Sequence, residues 1–549
     1  MFYCPKGAVP STLQSTGSLS AAVAASRVLG LVRMSLFSRL AGAGALADTF
    51  AVAFRIPNLL RDLLAEGALS SAFVPTFTAA LVQEDRERAY HLANLALAGV
   101  LIVTGVLTLL GIVFAEEVVR AITSGWGPEK IAETANLTRI MMPLLALVSA
   151  GAVWSGVLNA QRNFLPPALA PALFNVVSVV VGLGIWLAGL GGRAAVIAWS
   201  LGTLVAGIAQ AAMLVPALAR LGYRVRPKLA GLLRHPGVRR IVALMLPAIL
   251  GVAAVQLNVF VNTRFAASLG DGPVAQIEYA FRIFFLPIGV FGVALATVTT
   301  TRVSEEAARG DRSQLAARTA EGLSAAWLLT SASTVGLVLL AEPIVGLIYQ
   351  GGRFTAEDTV AVAAILQAYA LGLGPYSMVK IVAPAFYSID RPRLPLVASM
   401  SAIAVNIAFN ALTYRQLGAP GLALGTSLGA LVNLGLLRIF FAGTIGPLDA
   451  PDRARQFGVL AAANAALAGV VWAGWRACSA ALAGPLTGVP RLIRLVAESA
   501  GLLAVITVAF FAFAAIVRAG RYPGGAQLWG MPAGLVRRLR RRRPAAPKT

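Results

Sequence analysis

The chain has 549 residues, 58% hydrophobic and 13% charged, with a mean hydropathy of +0.77. A soluble globular domain carries about a quarter charged residues, so this composition excludes one. The formal net charge of +23 does not point to nucleic acid, because it sits in short loops between apolar runs rather than in a basic soluble domain.

Apolar runs of membrane-spanning length recur along nearly the whole chain, and they lack the period-two alternation of a barrel strand. Only helices then satisfy the backbone in hydrocarbon. Fourteen spans are expected, at roughly 17–40, 47–82, 90–115, 132–160, 166–190, 193–219, 238–269, 274–304, 316–349, 357–388, 394–416, 419–443, 454–480 and 493–518. The N-terminal stretch Met1 to Thr16 has no basic segment, short apolar segment and small-residue cleavage site in sequence, so it does not read as a cleaved leader.

The first run contains Arg27 and Arg33, and Arg27 lies about ten residues in, roughly 15 Å at 1.5 Å per residue. The second contains Arg55 and Arg61 with Asp48, Asp62 and Glu66, and the eighth contains Arg282. One arginine near the bilayer centre costs about 2.5–3.5 kcal/mol on insertion scales, so the group is expected to face a hydrated cavity or a counter-ion. Guanidinium offers a planar donor fork matched to phosphate oxygens and stays charged at any relevant pH. A cavity lined by such groups suits a lipid whose headgroup carries a diphosphate.

Loop charge sets the expected orientation. Arg220, Arg224, Arg226, Lys228, Arg234, Arg239 and Arg240 follow the sixth span. Arg302, Arg309, Arg312, Arg318, Arg391, Arg393, Arg453, Arg455 and the arginines of the tail fall on the same side, which is therefore read as cytoplasmic, with both termini there. Glu116, Glu117, Glu129 and Glu133 lie on the other side.

An internal repeat links the halves. Ala53-Phe54-Arg55-Ile56 matches Ala280-Phe281-Arg282-Ile283, and Arg162-Asn163-Phe164-Leu165-Pro166 resembles Arg391-Pro392-Arg393-Leu394-Pro395, both at offsets near 228 residues. Six spans separate the copies, as in transporters built from two parallel repeats. The expected organisation is an N-terminal lobe over 1–230, a second lobe over 231–447, two further helices over 448–520 and a basic tail over 521–549.

Enzyme signatures are missing. There is no Gly-Lys dipeptide and hence no P-loop, and no His-Glu-x-x-His. Cys4 and Cys478 are the only cysteines and His91 and His235 the only histidines, too few for a zinc cluster or a disulfide framework.

The stretch Ser26-Arg27-Val28-Leu29-Gly30-Leu31-Val32-Arg33, with Gly42-Ala43-Gly44 and Ala47-Asp48, resembles the opening of the MurJ (MviN) lipid II flippase family. So do Val52-Ala53-Phe54-Arg55-Ile56-Pro57-Asn58-Leu59-Leu60-Arg61, Ala65-Glu66-Gly67-Ala68 and Ala72-Phe73-Val74-Pro75. The resemblance implies an all-α polytopic fold of about fourteen helices. Two six-helix lobes, related by pseudo-twofold symmetry, would surround a central cavity, and the last two helices would line a groove for a polyprenyl tail. It implies a monomeric flippase of a bacterial inner membrane. Its substrate would be lipid II, the undecaprenyl-diphosphate-linked peptidoglycan precursor, and cell-wall synthesis proteins would be its partners. Arg27, Arg33, Arg61 and Arg282 match positions important for transport, and Ser26, Asp48, Arg55, Glu66 and Glu278 are supporting or gating candidates.

This sequence departs from the family pattern in two places. Phe281 and Phe285 stand where well-known members flank the eighth-span arginine with Asp and Glu, and Glu278, one helical turn back, is the candidate replacement partner. Spans seven and eleven carry Gln256, Asn258, Asn262, Asn406 and Asn410 where sodium-binding members use carboxylates, so sodium coupling is not expected. No bound cofactor is expected either, and membrane potential is the expected driving force. The alternatives are an exporter of drugs or of another polyprenyl-linked oligosaccharide on the same fold, or a non-transporting scaffold for wall synthesis.

Overall fold

The computed structural model describes residues 12–448, 452–483 and 489–530. Residues 1–11 and most of the basic tail, with the side chain of Glu66, lie outside the described residues.

The described chain is helical. In order it forms α1 (Thr12–Ala41), α2 (Ala45–Arg61), a π-helical segment (Asp62–Leu69), α3 (Ser70–Gln83), α4 (Arg86–Val113), α5 (Ala115–Ile122), α6 (Pro128–Met141) and α7 (Leu144–Ala160). It continues with α8 (Leu165–Leu187), α9 (Gly192–Ala212), α10 (Val215–Arg220), α11 (Pro236–Ala267), α12 (Pro273–Pro287), a second π-helical segment (Ile288–Gly292) and α13 (Val293–Ala308). Then follow α14 (Arg312–Leu339), α15 (Ala341–Tyr349), α16 (Ala356–Ala370), α17 (Leu373–Tyr387), α18 (Arg393–Thr444), α19 (Arg453–Ala483) and α20 (Arg491–Ala519).

Among the described residues, nine helices or joined helix pairs are long and apolar enough to cross a membrane, or ten if α16 and α17, bent by 41°, form one span. The 52-residue α18 is two spans in one, broken at Gly418, whose φ of 60° and ψ of −150° no helix contains. The remaining expected spans are α1, α2–α3 and α12–α13. In the pairs α2–α3 and α12–α13 a π-helical segment divides the column into α-helices of 14 to 17 residues. Fourteen helical columns therefore stand where fourteen spans were expected, and the chain is an all-α polytopic membrane protein.

The bilayer is the solvent for much of this surface. Leu109, Leu110 and Val113 of α4 and Leu246, Leu250 and Leu257 of α11 are all exposed. Water would penalise each by roughly 1.5–3 kcal/mol relative to burial, whereas lipid does not.

By packing, the chain divides into Met1–Glu278 with Tyr349–Asp358, and Tyr279–Ile348 with Thr359–Thr549. The division falls away from residue 230 because α11 packs on α3 and on the first π segment. In the first unit, Phe73 and Phe77 of α3 stack at 5.3 Å among buried residues of α4 and α7. Asn94 of α4 pins the basic loop: its amide donates to the Arg224 carbonyl, and its oxygen accepts from the Tyr223 hydroxyl and the Arg226 amide. Burial pushes the Tyr223 phenol well above its ordinary pKa. The turn Tyr349–Asp358 clasps the end of α1. The Arg353 amide donates to the Arg39 carbonyl at 2.9 Å, and a Cβ on Gly352 (φ +59°) would lie 2.2 Å from that carbonyl oxygen. No other residue fits there.

In the second unit, α13, α14, α17 and α18 share one core around Ile381, Phe386, Leu437 and Phe441. The pair α19–α20 packs through Leu467, Val471, Phe513 and Val517. Asn406 and Asn410 of the first arm of α18 are buried against the small residues Gly429 and Gly425 of the second. These polar side chains serve helix packing, a common use of small–polar pairs in membranes.

Candidate functional site

Both π-helical segments follow the repeated Ala-Phe-Arg-Ile motif. The first begins six residues after Ile56 and the second five after Ile283. Pro57 precedes the first, and Pro287 directly precedes the second. Proline has no N–H to give the preceding turn, which loosens the α ladder and favours a wider one. Such segments are frequent at functional sites.

In the first unit most of the singled-out charges are engaged. Arg33 is 5% exposed and lies over the rings of Phe54, at 5.8 Å, and Phe174, at 5.4 Å. Arg55 donates from Nη1 to Thr263 Oγ1 and from Nη2 to Glu278 Oε1 at 2.7 Å. Glu278 thus pairs with Arg55 and not with Arg282, because the start of α12 packs with the first unit. Arg61 donates to Asp62 Oδ1 from Nε at 3.2 Å and Nη2 at 2.8 Å, and Gln256 donates to Asp62 Oδ2. The Ser26 carbonyl accepts from the Asn175 amide, tying α1 to α8.

Asp48 is wholly buried and caps a helix that is remote in sequence. Its Oδ2 accepts from the Gly272 amide at 2.7 Å and its Oδ1 from the Ala275 amide at 2.9 Å, at the start of α12. Negative charge at a helix N-terminus satisfies orphan amides and complements the dipole. Lys130 completes the hub. Its ammonium bridges Asp48 at 3.1 Å and Asp271 at 2.7 Å and lies 3.8 Å from the centre of the Trp126 ring.

Arg27 and Arg282 differ from the rest. Neither makes a hydrogen bond or ion pair with a described residue. Arg27 is half-buried on α1, and Arg282 is exposed on α12. Around Arg282 the second unit supplies aromatic groups. Phe281 and Phe284 meet the Tyr369 ring at 5.6 and 5.3 Å, and the Lys380 ammonium lies 5.3 Å from the Phe285 ring and 5.4 Å from the Tyr376 ring. Sequence reasoning did not single out Lys380. The signal was its place as the sole lysine inside an apolar span, on a helix facing the Arg282 column.

Breaks within spanning helices, together with in-span guanidinium groups that have no counter-ion among the described residues, are the features of a polytopic membrane transporter. Solved structures share the fold. One described as lipid II flippase MurJ in an inward closed conformation aligns with a TM-score of 0.71 at 23% identity, over 89% of this chain and 98% of that one. An inward-facing multidrug resistance MATE family transporter of the MOP superfamily aligns with a TM-score of 0.61 at 17% identity, over 77% and 95%.

The family model described as Lipid II flippase MurJ matches residues 37–487, and the chain belongs to that family. A probable lipid II flippase MurJ of Bdellovibrio bacteriovorus is 34% identical over 78% of this chain and 83% of its own length. The lipid II flippase MurJ of Burkholderia cenocepacia is 33% identical over 82% and 89%.

Proposed function

We propose that this protein moves lipid II from the inner to the outer leaflet of a bacterial inner membrane by alternating access, with both termini cytoplasmic. The observation that carries the reading is Arg27 and Arg282, two in-span guanidinium groups without a counter-ion among the described residues. Each would cost about 2.5–3.5 kcal/mol in hydrocarbon, a cost removed when water or an anionic ligand meets it. A diphosphate offers oxygens that accept a guanidinium fork. In this reading Arg27 and Arg282 each meet the diphosphate in the course of its passage. Arg33 and Arg61, held by their own neighbours, add positive potential, and Lys380 contributes a further cation. The inside-negative potential then favours outward movement of an anion by about 2.3 kcal/mol per charge per 100 mV, with no need of sodium.

The test is rescue of cells depleted of their own lipid II flippase. Wild-type chain is expected to restore growth, and Arg27→Ala and Arg282→Ala chains, inserted to the same level, are expected not to. Rescue by both variants would remove the diphosphate from these residues. In vesicles, flipping indifferent to an imposed potential would remove the driving force.

A further inference from the structure

The helix that carries Arg282 also carries a pair of aromatic rings on the arginine's flank. At about 100° per residue, Phe281 and Phe285 lie to the same side of Arg282, about 100° and about 60° around α12. Arg282 and Phe285 are therefore surface neighbours at a spacing of three residues, and the two phenylalanines at a spacing of four. Their ring centroids are 5.8 Å apart and their planes tilt by 32°, so they form one broad aromatic surface. A buried layer supports it. Phe284, 1% exposed, stacks on Tyr369 at 5.3 Å and meets the Tyr376 ring edge-on at 6.0 Å. Phe281 rests on that layer, 5.8 Å from Phe284 and 5.6 Å from Tyr369, yet remains 36% exposed.

The arginine says what this surface faces. An exposed guanidinium in a span is costly against hydrocarbon, so the flank that bears Arg282 is the one met by water or ligand. The Lys380 ammonium, 5.3 Å from the Phe285 ring, sets a second cation beside the same surface. Water gains nothing from an aromatic face, but a sugar does. The face carries the negative part of the ring quadrupole, and the axial C–H groups of a pyranose present weakly positive hydrogens to it while the hydroxyls stay at the rim. In a lipid diphosphate sugar, the first pyranose begins one oxygen atom from the distal phosphorus. A phosphate at Arg282 thus brings that pyranose within reach of the ring one turn along the helix. We infer that Phe281 and Phe285 form a platform on which the pyranose next to the diphosphate stacks, and that they select a glycosylated lipid diphosphate over a bare one. The inference rests on the lipid II reading and adds its sugar contact.

The test is equilibrium binding to the purified full chain in detergent, with lipid II and with a polyprenyl diphosphate of the same chain length that bears no sugar. The wild type is expected to bind lipid II about tenfold more tightly than the bare diphosphate. Phe281→Leu/Phe285→Leu keeps apolar bulk and removes the rings. It is expected to lose most of that factor while holding the bare diphosphate as before. Phe281→Tyr/Phe285→Tyr keeps the rings and is expected to retain it. The single Phe281→Leu, at the more exposed ring, is expected to lose about threefold, and it decides the matter if the double variant melts early. Arg282→Ala is expected to weaken both ligands alike. Equal binding of the two ligands by the wild type, or leucine variants that keep the discrimination or weaken both ligands alike, would overturn the platform and leave the transport reading standing. A wild type that binds neither ligand would overturn the transport reading and the platform with it.

Discussion

The second and eighth columns carry the same four residues at equivalent places and the same π-helical break after them, yet their chemistry diverges. The second is tied down by ion pairs: Asp48 with Lys130, Arg55 with Glu278, Arg61 with Asp62. Past its first turns, the eighth is surrounded by rings, with Phe281, Phe284 and Phe285 set against Tyr369, Tyr376 and Lys380, and its arginine has no described partner. The repeat preserved a backbone device and let the side chains specialise. One copy spends its charges on holding helices together, and the other leaves its charge available.

This contrast predicts opposite outcomes for similar substitutions. Arg282→Ala is expected to lower lipid II flipping about a hundredfold, the value of roughly 3 kcal/mol of charge-assisted hydrogen bonding, while the melting temperature stays put. A variant that melts early would place Arg282 with the structural charges and break the contrast. Asp48→Ala is expected to lower stability by about 3 kcal/mol, because it strips a buried partner from Lys130 and uncaps α12, as read by thermal or denaturant unfolding in detergent. Lys380→Met is expected to reduce flipping about tenfold or less, with stability altered by under about 1 kcal/mol, since a ring contact of this kind is worth about 0.5–1 kcal/mol. Glu278→Gln is expected to have the smallest effect. Its pair with Arg55 is partly exposed, so the loss is about 0–1 kcal/mol in the same unfolding measurement.

Much of the fold was legible because the bilayer imposes length and apolarity on every span. Even Gly418, where two expected spans meet, was bracketed by runs ending at 416 and beginning at 419. The arginines were legible as a set, since a guanidinium in an apolar run is costly wherever it points. Their individual employment was not. Helical spacing put Glu278 beside Arg282, but α12 docks its start on the first unit and hands that carboxylate to Arg55, a choice made by tertiary packing. The capping of Gly272 and Ala275 by Asp48, 224 and 227 residues away, leaves no local trace in the sequence. The π segments were equally hidden, because proline announces a disturbed ladder without saying whether it kinks or widens.

The Asp48 hub also has a mechanical meaning. It anchors the first turn of α12 to α2, while the residues from Tyr279 onward pack elsewhere. From that anchor the column runs past Arg282 to the wide turn Ile288–Gly292, where the ladder is looser. A pinned start and a loosened far end thus lie on either side of Arg282, and the pinned turn sets the register from which its guanidinium projects.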